Sequence, residues 1–230
     1  FKRAALGIFP GAAELETIRF DPCGARYLVG SGNSGGRGGS CVDTLRTGES
    51  GPRLVVVPGT TDLRSFAIGK YEVSVAELNT FCAKSSVCAS RRDVDERLPA
   101  TGVGLEVVSA YLKWLSEQSG YVYRLPTVTE WRYAANADGS DPDPNRNCTL
   151  NALGIRKGDS LQNVRTGRGN AWGLVNHLGN VQEMALEEST LRAMGGAHVD
   201  AMGDCTPDLA RTYSGAPDLI TGFRVVRELR

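Results

Sequence analysis

The apolar positions along the chain mark a few short strands and three amphipathic helices. Leu54 to Pro58 (LVVVP) is continuously apolar, as a short buried strand is, and Phe66 to Val73 (FAIGKYEV) alternates well enough for a second. Ser74 followed by Glu77 forms a capping box, the Ser hydroxyl taking the N3 amide and the Glu reaching back. The helix it opens shows Val75, Leu78 and Phe81/Cys82 on one face. A second helix runs from about Leu105 to Ser119, with Val107, Tyr111, Trp114 and Leu115 in one stripe, Lys113, Glu117 and Gln118 away from it, and Gly120 as its stop. Tyr121 to Leu125 reads as a short strand ended by Pro126. Thr127 and Glu130 then make a second capping box, for a helix through Trp131 to Asn136. Trp114 and Trp131 are expected in the core. Phe223 to Val226 returns the C-terminus to a sheet, and Ala25 to Val29 is a further candidate strand.

Between these elements the chain is rich in loops. Gly 28 in 230 residues is well above ordinary usage. Ala137 to Gly169, full of Asp, Asn, Pro, Gly and Arg, reads as one long irregular connection, which needs a tether such as Cys148 or a bound cation. The glycine run GSGNSGGRGG lacks the following helix and the GK[ST] ending of a phosphate cradle. Lys+Arg 26 against Asp+Glu 26 leaves no basic surplus, which argues against nucleic acid and against a polybasic membrane anchor. No apolar run reaches the roughly 20 residues of a membrane span, so this fragment is not expected to cross a bilayer. Since the chain begins at Phe1 without Met, a leader or anchor is expected to have been removed before it.

The six cysteines form an even set with no CxxC, and His177 and His198 are too few to complete zinc sites. Fifteen pairings are formally open. Sequential proximity joins Cys82 to Cys88 and Cys23 to Cys41, leaving Cys148 for Cys205, a closure of nearly sixty residues that contributes on the order of 4 kcal/mol by chain entropy. Such a framework implies an oxidising compartment, periplasmic or extracellular.

Five ordered motifs then become recognisable: FAIGKYEVSVAELNTFC, AYLKWLSEQSGYVYRLPTVTEWRYAA, NAWGLVNHLGNVQEM, RAMGGAHVD and TGFRVVREL. Together they resemble the formylglycine-generating enzyme (sulfatase-modifying factor) family from about Gly51 to Leu229. The resemblance implies an α+β domain, a loop-rich and disulfide-bonded variant of the C-type lectin fold, over residues 51–230. Residues 1–50 would then be an N-terminal extension packed on it.

The resemblance also implies specific chemistry. The family's enzyme holds copper(I) on two thiolates just after the Gly-Gly motif. Here those places fall on Asp200 and Cys205, so no copper and no catalysis are expected, because a hard carboxylate does not replace a soft thiolate. Two histidines are also too few for the three-histidine iron site of the sulfoxide synthases in the same family. Calcium is the cofactor the family pattern still allows. Asn180 and Glu183 of GNVQE are the candidate oxygen ligands, with Asn147 and Asp159 for a second ion. Gln182 and Met184 stand where the family more often has tryptophans. His198, Asp200, Arg211 and Tyr213 lie where it binds substrate and are the candidate ligand contacts. The expected function is a non-catalytic, extracytoplasmic recognition or regulatory domain. It would engage a protein or small ligand as sensor or partner in a bacterial Ser/Thr kinase (type VI secretion) pathway. The alternatives are a metal-dependent oxidase and a hypervariable lectin-like display protein.

Overall fold

The computed structural model describes residues 21–24, 39–137, 139, 142–152 and 155–229. The strand expected at Ala25 to Val29 and most of the glycine run lie outside them.

The strands are β1 (Ser40–Thr44), β2 (Ser50–Val57), β3 (Phe66–Gly69), β4 (Tyr123–Arg124), β5 (Leu150–Ala152), β6 (Ile155–Lys157), β7 (Gln182–Glu187), β8 (Thr190–Met194), β9 (Ala210–Thr212), β10 (Thr221–Gly222) and β11 (Val226–Glu228). The helices are α1 (Val75–Lys84), α2 (Leu105–Ser119) and α3 (Val128–Asn136). Among the described residues they form an antiparallel five-stranded sheet in the order β1-β2-β3-β11-β4, a four-stranded sheet β10-β7-β8-β9, and the hairpin β5-β6.

The continuously apolar run of β2 is explained by burial on both faces of the larger sheet. Leu54 and Val56 point into a core shared with α1 and α2. Val55 and Val57 point the other way, to Phe66, Ile68, Val226 and Ala134 of α3. Helix α3 turns a second surface, Val128, Trp131 and Ala135, onto Ala185 and Met194 of the smaller sheet. It is therefore the layer between the two sheets. In the first core, Tyr111 meets Phe81 and Phe223 edge-on, each at a centroid separation of 5.7 Å.

Local signals placed the helices well. Both capping boxes form, at Ser74/Glu77 and Thr127/Glu130, and Gly120 closes α2 in the left-handed conformation with φ 75°. The face of α1 is buried as expected. That of α2 is rotated: Val108, Tyr111, Leu112 and Leu115 are buried, while Val107 and Trp114 are half-buried at its margin. Three further expectations are corrected. The Phe66 to Val73 strand ends at Gly69, because Glu72 turns inward to a polar network. The stretch from Ala137 to Gly169 contains the β5-β6 hairpin. The terminal strand pairs from Val226 rather than Phe223, since Arg224 is drawn into the same polar network.

The domain boundary also moves. β1 is hydrogen-bonded to β2 in the main sheet, so residues 40–50 belong to the domain and not to an extension before residue 51. Arg227, fully buried, fastens what precedes: its Nε donates to Asp43 Oδ2 (3.0 Å), its Nη2 to Asp21 Oδ1 (2.7 Å), and its guanidinium lies 3.6 Å from the Tyr121 ring centroid.

The disulfides are Cys23–Cys41, Cys82–Cys88 and Cys148–Cys205. The last spans 57 residues and joins the irregular 142–152 segment to the loop after Gly196. Replacing both Cys148 and Cys205 by Ser is expected to lower unfolding free energy by roughly 4 kcal/mol, read from urea denaturation against the parent chain. An unchanged midpoint would show that packing alone holds these loops together.

Candidate functional site

The β7-β8 hairpin ends in Gly195–Gly196, and the chain then loops through His198, Asp200 and Cys205 before returning as β9. Gly195 has φ 83°, and a Cβ there would stand 2.8 Å from the Trp131 ring and 2.9 Å from the His177 carbonyl. The Gly-Gly pair is thus where the loop presses closest on α3.

Beyond it runs a connected row of polar groups. Arg211 on β9 grips Asp200 with both terminal nitrogens, Nη2 to Oδ1 at 2.8 Å and Nη1 to Oδ2 at 2.9 Å. Asp200 Oδ2 also accepts the Ala197 amide at 2.8 Å. Arg211 Nη1 reaches Gln182 Oε1 on β7 (3.2 Å), Gln182 Nε2 donates to Thr221 Oγ1 (2.7 Å), and Thr221 Oγ1 donates to Asp218 Oδ2 (2.8 Å). Burial pushes the Asp200 carboxyl up, but the hydrogen bonds from Arg211 and Ala197 outweigh it and hold the group below its ordinary range. Tyr213 is half-buried and its hydroxyl donates to the Ala216 carbonyl. His198 turns toward Asn180, with Nδ1 3.0 Å from its carbonyl oxygen. Of the four expected ligand contacts, then, the structure directly joins Asp200 to Arg211, sets Tyr213 beside the Thr221–Asp218 end of the same row, and turns His198 toward Asn180.

Neither of the family's copper positions offers a thiolate. Cys205 is bridged to Cys148, and Asp200 is a hard ligand neutralised by Arg211. The residues present do not fit copper(I).

The calcium expectation at Asn180 and Glu183 does not fit the donor set either. Asn180 Oδ1 already accepts from Asn147 Nδ2 (2.9 Å) and the Gln162 amide (2.8 Å), and its Nδ2 donates to Glu72 (2.9 and 3.1 Å). Glu183 Oε2 accepts from Arg224 Nε (2.6 Å) and Trp131 Nε1 (2.7 Å), and Oε1 from Arg224 Nη2 (2.5 Å). These oxygens face donors, one of them the full cation of Arg224, which competes with a dication for the Glu183 carboxylate and repels it. For the second expected ion, Asn147 is buried and its Nδ2 donates both to Asn180 Oδ1 and to the carbonyl of Ser160 (3.0 Å), next in sequence to the exposed Asp159.

What the GNVQE and GFR motifs build instead is a buried polar knot. Arg224 is 0% and Glu183 1% exposed, and Arg224 also donates to the carbonyls of Gly69 (2.9 Å) and Val175 (3.1 Å). Glu72 completes the knot. Burial, and then the charge of Glu183, raise its pKa well above the ordinary value. The motif reading missed Glu72 and Arg224. The signal was present as charged residues inside apolar strand patterns, KYEV and GFRVV, where a charge is affordable only with a buried partner.

On the far side of Gly195 lies a cleft of about 570 Å³ between the end of α3, residues 142–144, residues 168–171 and His177. His177 is 8% exposed and its Nδ1 is buried without a hydrogen-bond partner. Burial, and then the Arg224 charge, lower its pKa to about 4.

A mixed α+β domain with few helices and irregular loops, here tied by disulfides and buried ion pairs, is what resemblance to the sulfatase-modifying-factor family implied. The chain belongs to that family: residues 37–229 match the Sulfatase-modifying factor enzyme 1-like domain. Searching curated protein sequences gives no match. Among solved structures the chain is similar to PvdO from Pseudomonas aeruginosa, at TM-score 0.66 and 22% identity over 84% of this chain and 99% of that one. It is similar to Treponema denticola variable protein 1, at 0.61 and 15% over 82% and 98%. It is also similar to CarF, at 0.60 and 20% over 83% and 97%. At these identities the likeness is one of fold. The family match begins at residue 37, in line with the place of β1 in the main sheet. Among the described residues no helix is long and apolar enough to cross a membrane.

Two expectations follow from the buried groups. Arg224→Met leaves Glu183 and Glu72 buried without their cation and is expected to cost about 3–5 kcal/mol in urea unfolding. Adding Glu183→Gln to it should recover part of that loss, and strict additivity of the two single changes would show that the pair is not coupled.

For His177 the folded pKa lies below the unfolded value of 6.5, so between pH 6.5 and about 4 the unfolded chain binds the extra proton. Its contribution is complete above pH 6.5 and is lost as pH falls through 4, about 3 kcal/mol in all. Glu72 works in the opposite sense: with its folded pKa raised, the native chain holds the extra proton above pH 4.5 and stability declines as pH rises. Comparing the parent with His177→Gln over pH 6.5 to 4 cancels the Glu72 effect. The parent should lose more stability than the variant, and parallel curves would remove His177 from the acid response.

Proposed function

We propose that this chain is a non-catalytic recognition domain of the family, acting in an extracytoplasmic, oxidising compartment. In this reading it is a sensor or partner in a bacterial Ser/Thr kinase pathway of the type VI secretion kind. The observation that carries the proposal is the fate of the two metal positions: Asp200 is locked to Arg211 and Cys205 to Cys148. Thiolate chemistry on copper needs both groups free, soft and deprotonated, and here each is spent on holding the loop.

The same exchange supports a binding role. Asp200 and Arg211 fix the loop after Gly196 against β9, and Gln182, Thr221 and Asp218 extend the row across the small sheet to the segment carrying Tyr213. A rigid, partly exposed row of paired donors and acceptors on loops tied to a sheet is suited to reading a protein partner. Three disulfides agree with an oxidising location. The link to a kinase pathway rests on family resemblance and is tested by the neighbouring genes and the full-length product, where a kinase or secretion component is expected.

The catalytic part of the proposal has a direct test. Anaerobic titration of the purified chain with Cu(I) against a competing chelator should show no tight stoichiometric site, and a Cys-containing peptide should remain unoxidised under oxygen. Tight one-to-one Cu(I) binding with oxygen-dependent conversion of the peptide cysteine would overturn this reading.

A further inference from the structure

The cleft beside His177 lies across Gly195 from the Asp200–Arg211 row, and neither the copper positions nor the expected ligand contacts line it. A small recess of about 20 Å³ shares Asp143, Arg168 and His177 with the main cleft and adds Arg146. The recess has room for about one water-sized group.

Two buried atoms in this lining lack partners among the described residues, and they are complementary. His177 Nδ1 is one. The ring's hydrogen bond goes to the Leu174 backbone, so the neutral imidazole leaves Nδ1 as a bare acceptor that calls for a donor. Arg146 Nε is the other. Its Nη1 and Nη2 donate to the carbonyls of Asp143 (3.1 Å) and Met202, which leaves the Nε proton calling for an acceptor. Leaving both unmet costs about 1–3 kcal/mol for each group.

Two charges complete the cleft. Asp143 Oδ1 accepts the Asn145 amide (2.8 Å), and among the described residues its Oδ2 has a single long contact, 3.4 Å, from the Arg168 amide. The guanidinium of Arg168, an exposed residue at the cleft wall, makes no side-chain hydrogen bond or ion pair among the described residues. The cleft also meets the C-terminal end of α3, whose last turn carries no basic residue to offset the negative end of the helix dipole. The lining thus offers a carboxylate, a helix C-terminus and an imidazole nitrogen, all suited to an ammonium, together with the Arg168 guanidinium and, in the adjoining recess, that of Arg146, suited to a carboxylate. At about 570 Å³ the cleft falls within the usual size of small-molecule sites.

We infer that this cleft is a binding site for a small zwitterion of the free α-amino acid class, its ammonium held by Asp143 and His177 and its carboxylate by Arg168 and Arg146. The site does not depend on the Asp200–Arg211 surface or on the absence of catalysis.

The test is a thermal-shift screen of the full chain against each proteinogenic amino acid at roughly 10 mM, followed by calorimetry of the hits, because a ligand that binds only the native state raises the midpoint. At least one amino acid should bind. Its N-acetyl and methyl-ester derivatives should each bind at least about tenfold more weakly, the loss expected when one charged contact goes. Arg168→Ala and Asp143→Asn, at exposed and half-buried positions where folding is not at stake, should weaken binding by a similar factor. Lys113→Ala, at an exposed position on α2 that lines neither cavity, should leave it unchanged. The proposal is overturned if no amino acid shifts the midpoint, if the blocked derivatives bind as well as the parent compound, or if Arg168→Ala binds like the unmodified chain.

Discussion

The fold turns on one buried ion pair. Arg224 and Glu183 are both withdrawn from water, at a desolvation cost that their attraction alone does not repay, so every remaining donor and lone pair must be met. The guanidinium is met by both oxygens of Glu183 and by the carbonyls of Gly69 and Val175. The carboxylate is met again by the indole of Trp131. These partners come from the end of β3, the loop before the GNVQE motif, β7 and α3, and Arg224 itself from the link between β10 and β11. A planar fork accepts little error in where its acceptors lie. The pair therefore sets where the small sheet stands relative to the large one more than it adds stability. A well-packed apolar substitute can be as stable, but it would not demand this one arrangement of loops.

Much of the scaffold was legible because its signals are local. A Ser or Thr three residues before Glu announces a helix start wherever it falls, and Gly120 announces the stop. The LVVVP run was legible because both faces of β2 are buried. The site was legible in place, through the Gly-Gly motif and its spacing to Asp200 and Cys205, but not in partnership. Asp200 and Arg211 are eleven residues apart and meet only because β9 folds back on β8. Glu183 and Asn180 looked like metal ligands because oxygen-bearing side chains at short spacing are what a cation needs. The cation that claims Glu183 is Arg224, forty-one residues on, and no local pattern reports that. The short strands β7 to β9 were not read for the same reason: their pairing is decided by sheet neighbours and by the disulfide that closes the loop.

The two polar surfaces on either side of Gly195 differ in a way that bears on what each can recognise. Along the row from Asp200 to Asp218, the charges of Asp200, Arg211 and Asp218 have a counter-charge or hydrogen bond in place before any ligand arrives. A small ion gains little there, since it must compete with bonds already made. A protein gains by burying the row whole and adding contacts around its rim. In the His177 cleft the balance is reversed. Among the described residues, the His177 acceptor is fixed by burial and the Arg146 Nε proton by the bonds of its neighbouring nitrogens, so a ligand that satisfies them displaces no bond described for either atom. Preorganised and unsatisfied groups are where a molecule of few atoms finds its affinity. On the proposals made here, loss of the thiolate pair leaves the row free to serve as a contact face. The cleft, on the other side of the Gly-Gly turn, supplies a small-molecule input through the same strand end, with Gly195 packed against both Trp131 and the His177 carbonyl.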